Sequence, residues 1–123
     1  MVPKSLRTWF VIHFVADMIF AIPLLFAPVW LLTTFGFETV DPLTARLVGA
    51  ALLGIGGESL LGRNASADTF RAMLNLKIIW SLGAIFGIAV SLDAQSPPMG
   101  YALLAIFIAF NIIWVDYRLK LRN

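Results

Sequence analysis

Residues 8–32 read TWFVIHFVADMIFAIPLLFAPVWLL, an apolar stretch in which only His13 and Asp17 can ionise. A helix needs about 20 mostly apolar residues to cross the hydrocarbon core of a bilayer. The stretch therefore predicts a first transmembrane helix. It is too long for a signal peptide and contains Asp17, so we expect it to be retained. Pro23 and Pro28 predict kinks in its later half, with the segment 29–37 bending toward the membrane interface.

Three further apolar stretches predict three more spanning helices, separated by short polar connections. The connection before the last helix contains Pro97 and Pro98, through which no helix continues. Short connections make successive helices antiparallel neighbours. The predicted fold is an all-α, integral membrane, antiparallel four-helix bundle that forms a single membrane domain, 1–123, with helices at about 8–32, 44–62, 70–92 and 99–117.

The composition supports a membrane protein. Hydrophobic residues make up 60% of the chain and charged residues 13%, against about 45–50% and about 25% in a typical soluble domain. A soluble chain of this length could not bury so much apolar surface, so the lipid bilayer is the expected partner. The net charge of +2 is too small to indicate nucleic acid. The absence of cysteine from the sequence excludes disulfides, thiolate metal sites and dithiol redox chemistry.

The lysines and arginines predict an orientation, because these residues collect on the cytoplasmic side of membrane proteins. In a chain that crosses four times, one side holds only Arg46. The other side holds Lys4, Arg7, Arg63, Arg71, Arg118, Lys120 and Arg122. We therefore predict a multi-pass protein of the cell membrane, in a bacterium the inner membrane, with both termini in the cytoplasm.

Polar side chains occur at similar depths in all four predicted helices. At about 1.5 Å per residue from the cytoplasmic boundary, Glu58 lies roughly 7 Å deep, His13 and Lys77 about 9 Å, Asn111 about 10 Å and Asp17 about 15 Å. An ionisable group at the helix centre costs about 2.5–3.5 kcal/mol on insertion scales. We therefore predict that these five residues form a polar layer. Within it, Glu58 is expected to pair with Lys77, and Asp17 with His13 or Lys77.

Two interpretations of the polar layer stay open. In the first, it binds a proton or a cation, and Asp17 and Glu58 serve a coupled transporter. In the second, it only holds the helices together, because Glu58 and Lys77 could extend to the interface. No metal site and no cofactor are expected, although His13 as an axial ligand of haem or chlorophyll is also left open.

Small residues in the second and third predicted helices indicate contact surfaces. Membrane helices approach one another closely where small side chains line the contact. On the second helix, Ala50, Gly54 and Gly57 fall on one broad stripe. On the third, Gly83 and Gly87 are four residues apart. We predict that these five residues pack against other helices.

Residues 41–50 read DPLTARLVGA, with Gly54 after them and with Pro28 and the pair Phe35-Gly36 before them. This pattern resembles one found among small bacterial four-helix membrane proteins of uncharacterised function, over about residues 20–92. The resemblance implies the same four-helix bundle and no particular activity. Small multidrug transporters also carry an acidic residue in their first helix, where Asp17 lies, but their other motifs are absent from this sequence.

The sequence favours a function without catalysis, since the common catalytic and nucleotide-binding motifs are absent from it and no catalytic residue can be named. The leading hypothesis is a non-enzymatic membrane protein, either an accessory subunit of a larger membrane complex or a small binding scaffold. The first alternative is a proton- or cation-coupled small transporter that works as a homo-oligomer. The second alternative is an enzyme acting on lipids or quinones.

Overall fold

The structure of the protein is a computed structural model that describes residues 1–122. This part of the chain is all-α. Four of its five helices are long and apolar enough to cross a membrane. The chain is therefore a multi-pass membrane protein, and the predicted all-α fold with four spanning helices is confirmed. Asn123, the last residue of the predicted domain, lies outside the described residues. The helices are α1 (Lys4–Phe26), α2 (Pro28–Thr34), α3 (Pro42–Leu61), α4 (Ala67–Ser91) and α5 (Pro98–Lys120).

The predicted first helix is divided into two. Ala27 leaves helical geometry, with φ −146° and ψ 57°, and Pro28, which has no N–H to donate, begins α2. The rings of Phe20 and Phe35 meet edge to face with their centroids 6.3 Å apart, whereas a straight helix would separate the two residues by roughly 22 Å. The predicted helix bounds 8–32 were therefore wrong, because the chain breaks at Ala27, next to the predicted kink at Pro28, and α2 folds back beside α1.

The other three spanning helices begin and end within three residues of their predicted limits, because local signals fix their ends. Asp41 accepts a hydrogen bond from the backbone N–H of Leu43, at 3.2 Å, and thereby caps α3. Ser66 caps α4 in the same way through the N–H of Thr69, at 3.4 Å. Prolines occupy the first turns of α3 and α5, where a missing N–H costs nothing.

The described chain divides into two compact units. Residues 3–65 form the α1–α3 unit. The α4–α5 unit begins at Ser66 and also includes Met1 and Val2. The single membrane domain stays a prediction.

In the α1–α3 unit, α1 and α3 run antiparallel. Gly49, in the first half of α3, lies against Leu24 near the end of α1, and Gly56 lies against Asp17, two turns earlier in α1. The buried side chains of α1 recur every three or four residues, which places them on one face of the helix. They are Leu6, Phe10, His13, Asp17, Ala21 and Leu24.

In the α4–α5 unit, the two helices also run antiparallel. Arg118 near the end of α5 donates to the side-chain oxygen of Asn75 near the start of α4, at 2.8 Å. Further along, the rings of Trp80 and Phe107 meet edge to face with centroids 6.2 Å apart. The packed face of α4 includes Phe70, Met73, Leu74, Lys77 and Ser81.

Three arginines join antiparallel helix ends. Arg46, early in α3, donates to the carbonyl of Leu25 at 3.0 Å. Arg7, early in α1, donates to the carbonyls of Arg63 and Ala65 beyond the end of α3, at 2.8 and 3.2 Å. Arg71, early in α4, donates to the carbonyl of Leu121 after α5, at 3.0 Å. Leu25 lies in the last turn of α1, where a helix carbonyl has no N–H partner within the helix. Arg63, Ala65 and Leu121 lie just beyond helix ends, where a cation complements the helix dipole. We call these contacts the arginine ties.

Candidate functional site

Three ionisable side chains inside the spanning helices are buried. The exposed fraction is 5% for His13, 6% for Asp17 and 2% for Lys77. Such groups in a membrane protein are costly unless they have polar or aromatic neighbours, and they commonly mark functional positions. His13 and Asp17 of the α1–α3 unit form one candidate site, and Lys77 of the α4–α5 unit forms a second.

His13 and Asp17 lie one turn apart on the buried face of α1. Nε2 of His13 is 3.2 Å from Oδ1 of Asp17, a contact that the spacing of four residues favours. The predicted contact between these two side chains is therefore confirmed. An imidazole facing a carboxylate in a buried position can hold a proton between two titratable groups, and the same contact also stabilises the helix face.

Gly56 of α3 is what allows Asp17 to lie between α1 and α3. A Cβ atom built on Gly56 would lie 2.6 Å from Cβ of Asp17 and 2.9 Å from its Oδ2. Both distances are too short for real contacts, so any side chain at position 56 would displace the carboxylate. The predicted stripe of small residues did not include Gly56. The sequence contains two adjacent glycines, Gly56 and Gly57, either of which could face α1. Of the two, the predicted stripe contained only Gly57.

Lys77 of α4 lies against an aromatic ring of α5. Its Nζ is 4.9 Å from the ring centroid of Trp114, within the range of a cation–π contact. Trp114 is itself 1% exposed and stacks on Phe110 at 5.6 Å. No pattern in the sequence relates Trp114 to Lys77. A contact between aromatic and cationic residues on different helices leaves no spacing signal in a sequence.

Asn111 and Glu58 complete the five residues of the predicted polar layer. Nδ2 of Asn111 donates to Oγ of Ser81 at 2.8 Å, which gives the buried serine of α4 a partner on α5. Glu58, in the last turn of α3, is exposed. Its predicted pairing with Lys77 would join the two units and stays a prediction.

The predicted packing residues form open surfaces. A Cβ atom built on Gly54, Gly57, Gly83 or Gly87 would meet nothing within 4 Å, and Ala50 is exposed. On α3, the contact with α1 is made by Gly49 and Gly56 instead, roughly 120° around the helix from the predicted stripe. Within each unit of the described chain, therefore, no helix packs closely on these residues, and their packing against other helices stays a prediction. We call Ala50, Gly54 and Gly57 the α3 small face, and Gly83 and Gly87 the α4 small face.

Among residues 1–122, no three histidine, cysteine, aspartate or glutamate side chains are placed to hold a metal ion. A haem or chlorophyll ligand at His13 stays a prediction. Comparison with protein families, with curated proteins and with solved structures finds no match to this chain. The resemblance to small bacterial four-helix membrane proteins likewise stays a prediction.

Proposed function

We propose that this chain is a non-enzymatic membrane protein that binds transmembrane helices of other proteins, as an accessory subunit or a small scaffold. The observation that carries the proposal is the pair of open small faces. Membrane helices associate where small residues let two backbones approach. Both faces offer such an approach, since added side chains there would enter open space.

The buried contacts suit this role. His13 with Asp17, Lys77 with Trp114, and Asn111 with Ser81 each join side chains inside one unit. Such contacts fix the shape of a unit, and a fixed shape allows its outer faces to bind a partner without a large cost in conformational entropy. The proposed location is the cell membrane with both termini in the cytoplasm, on the basis of the lysine and arginine distribution.

The α4 small face provides the test. In the double variant G83L/G87L, two leucines cover the face without entering the packed interior of the unit. The matched control is Ala89→Leu, an exposed residue of α4 roughly 140° around the helix from that face. The wild type, both variants and the corresponding α3 variant G54L/G57L are purified in mild detergent, and proteins that co-purify in fixed stoichiometry are identified.

We expect the partner to be lost from at least one small-face variant and retained by Ala89→Leu. Co-purification of two differently tagged copies of this chain distinguishes a homo-oligomer from a larger complex. Retention of every partner by both small-face variants would contradict the proposal. Circular dichroism of each variant verifies that the helices are intact.

A second candidate function, proton-coupled or cation-coupled transport, is favoured by the buried pair of His13 and Asp17. In this hypothesis Asp17 releases and rebinds the coupled proton next to the imidazole, and Glu58 assists. Asp17→Asn keeps the shape and hydrogen-bonding capacity of the side chain but removes its titration. Flux driven by a pH gradient in liposomes should be abolished in Asp17→Asn while the fold is retained. Wild-type liposomes without pH-driven flux of protons or small cations would contradict this candidate.

A further inference from the structure

The charged side chains at the two ends of the α4–α5 unit differ in sign. The end formed by the start of α4 and the end of α5 has a net charge of +2, from Arg71, Arg118, Lys120 and Arg122 with Asp68 and Asp116. The opposite end, in the connection between α4 and α5, contains only the charge of Asp93. The unit therefore presents cations at one membrane surface and a carboxylate at the other.

The cations of the positive end fall into two classes. Arg71 and Arg118 are held by protein partners, the carbonyl of Leu121 and the side chain of Asn75. Lys120 and Arg122 are exposed. Lys120 reaches Asp116 at 2.7 Å, but both side chains of this pair are more than half exposed, so the attraction between them is weak and can be exchanged for another anion.

An aromatic ring lies beside Lys120, one of the two exposed cations. Nζ of Lys120 is 5.2 Å from the ring centroid of Tyr117. Tyrosine and tryptophan are enriched where a spanning helix reaches the lipid headgroups. The exposed cations therefore emerge from α5 at the depth at which the phosphates of the lipids lie.

We infer that Lys120 and Arg122 bind the phosphate of an anionic phospholipid in preference to a zwitterionic one. An ammonium and a guanidinium two residues apart can both reach a headgroup, and the planar guanidinium can bind phosphate through two parallel hydrogen bonds. Basic side chains next to the end of a spanning helix are the ordinary means by which membrane proteins attract anionic lipids.

The test measures lipid selectivity in vesicles of phosphatidylcholine and phosphatidylglycerol. Spin-labelled forms of each lipid report their relative association constants with the protein. The wild type should select phosphatidylglycerol, and the double variant K120Q/R122Q should lose about fivefold in selectivity for each cation removed. Selectivity that is unchanged in this variant, or absent from the wild type, would overturn the inference.

A charge-matched variant distinguishes lipid selection by the cations at the end of α5 from an effect of the net charge of the protein. Adding E38Q and D93N to K120Q/R122Q restores the net charge of +2 while the end of α5 stays neutralised. We expect selectivity to stay lost in this fourfold variant. If it returned to the wild-type value, the total charge would be responsible and the inference would be wrong. Circular dichroism verifies that both variants remain helical.

Discussion

At Gly56 a missing side chain decides the position of a buried carboxylate. Asp17 occupies the space that a Cβ atom of residue 56 would need. Gly56→Ala should therefore destabilise the protein by about 1–3 kcal/mol, the usual cost of overpacking. Equilibrium unfolding in mixed micelles measures the change.

Gly54→Ala and Gly57→Ala are the matched controls, since both substitutions enter open space. Alanine favours helix formation over glycine by up to about 1 kcal/mol in water, so these variants should be neutral or slightly stabilised. Equal destabilisation by all three substitutions would mean that Asp17 does not lie against Gly56.

Asp41 allows a prediction of pH dependence outside the spanning segments. A hydrogen bond from the Thr44 hydroxyl is the largest cause that lowers the pKa of Asp41 below 3.8, and backbone N–H groups of Leu43 and Thr44 add to it. Because the pKa of Asp41 is lower in the folded state, the hydrogen bonds to its carboxylate stabilise the fold. This stabilisation is complete at pH values above the pKa that Asp41 has in the unfolded chain. It is lost as the pH falls through the folded pKa.

Thr44→Val removes the hydroxyl and should raise the pKa of Asp41 toward 3.8. Titration of the Asp41 carboxyl carbon by NMR measures this pKa directly. Thr39→Val, on the other side of Asp41, is the control and should leave the pKa of Asp41 unchanged. A pKa of Asp41 that Thr44→Val leaves at its wild-type value would contradict the assignment of the hydroxyl as its main cause.

At the scale of the helices, Arg46 compensates for the break between α1 and α2. In an uninterrupted helix the carbonyl of Leu25 would accept from the N–H of Val29. The chain turns at Ala27 instead, and the guanidinium of Arg46 donates to Leu25. In a membrane a carbonyl without a donor is costly, and neighbouring helices commonly supply the missing bond.

Arg46→Met keeps the length of the side chain and removes its donors. It should destabilise the protein by about 1.5–3 kcal/mol, the value of a hydrogen bond to a charged group, as measured by equilibrium unfolding in mixed micelles. Arg46→Lys should be affected less, because an ammonium can also donate to a carbonyl. Arg122→Met, at an exposed arginine, is the control. A similar loss of stability in this control would show that removal of a positive charge, and not of the hydrogen bond to Leu25, destabilises the protein.

The helices also show where a sequence pattern stops being informative. Hydrophobicity predicted the spans, because the thickness of the bilayer fixes the length of an apolar helix. It extended the predicted first helix to residue 32, because apolar residues continue from α1 into α2. Pro23 and Pro28 indicated a bend. The direction of the bend is seen in the contact between the rings of Phe20 and Phe35, and no local sequence signal specifies that contact.

The same limit applies to the candidate site. The contact of His13 with Asp17 was predictable because it lies within one helix. The contacts of Asp17 with Gly56 and of Lys77 with Trp114 join different helices. The α3 sequence contains two stripes of small residues on different sides of the helix, Gly49 with Gly56 and Gly54 with Gly57. Only the packing against α1 decides between them.

At the scale of the whole molecule, the proposed orientation can be tested on single-cysteine variants, because the sequence contains no cysteine. A membrane-impermeant maleimide should label Gln95→Cys and Lys120→Cys from opposite sides of the membrane. If the chain crosses the membrane four times, Asn64→Cys should be labelled from the same side as Lys120→Cys. Glu38→Cys should be labelled from the same side as Gln95→Cys. Labelling of Gln95→Cys and Lys120→Cys from the same side would contradict the arrangement of spans.

The arginine ties have a consequence for the order of events during synthesis. Both ties of the α1–α3 unit have donor and acceptor within the first 65 residues, at Arg7 and Arg46. A ribosome releases these residues before those that follow. The growing chain can therefore cover the exposed carbonyls at the ends of its first helices with guanidinium groups of its own. This protection requires no residue of α4 or α5.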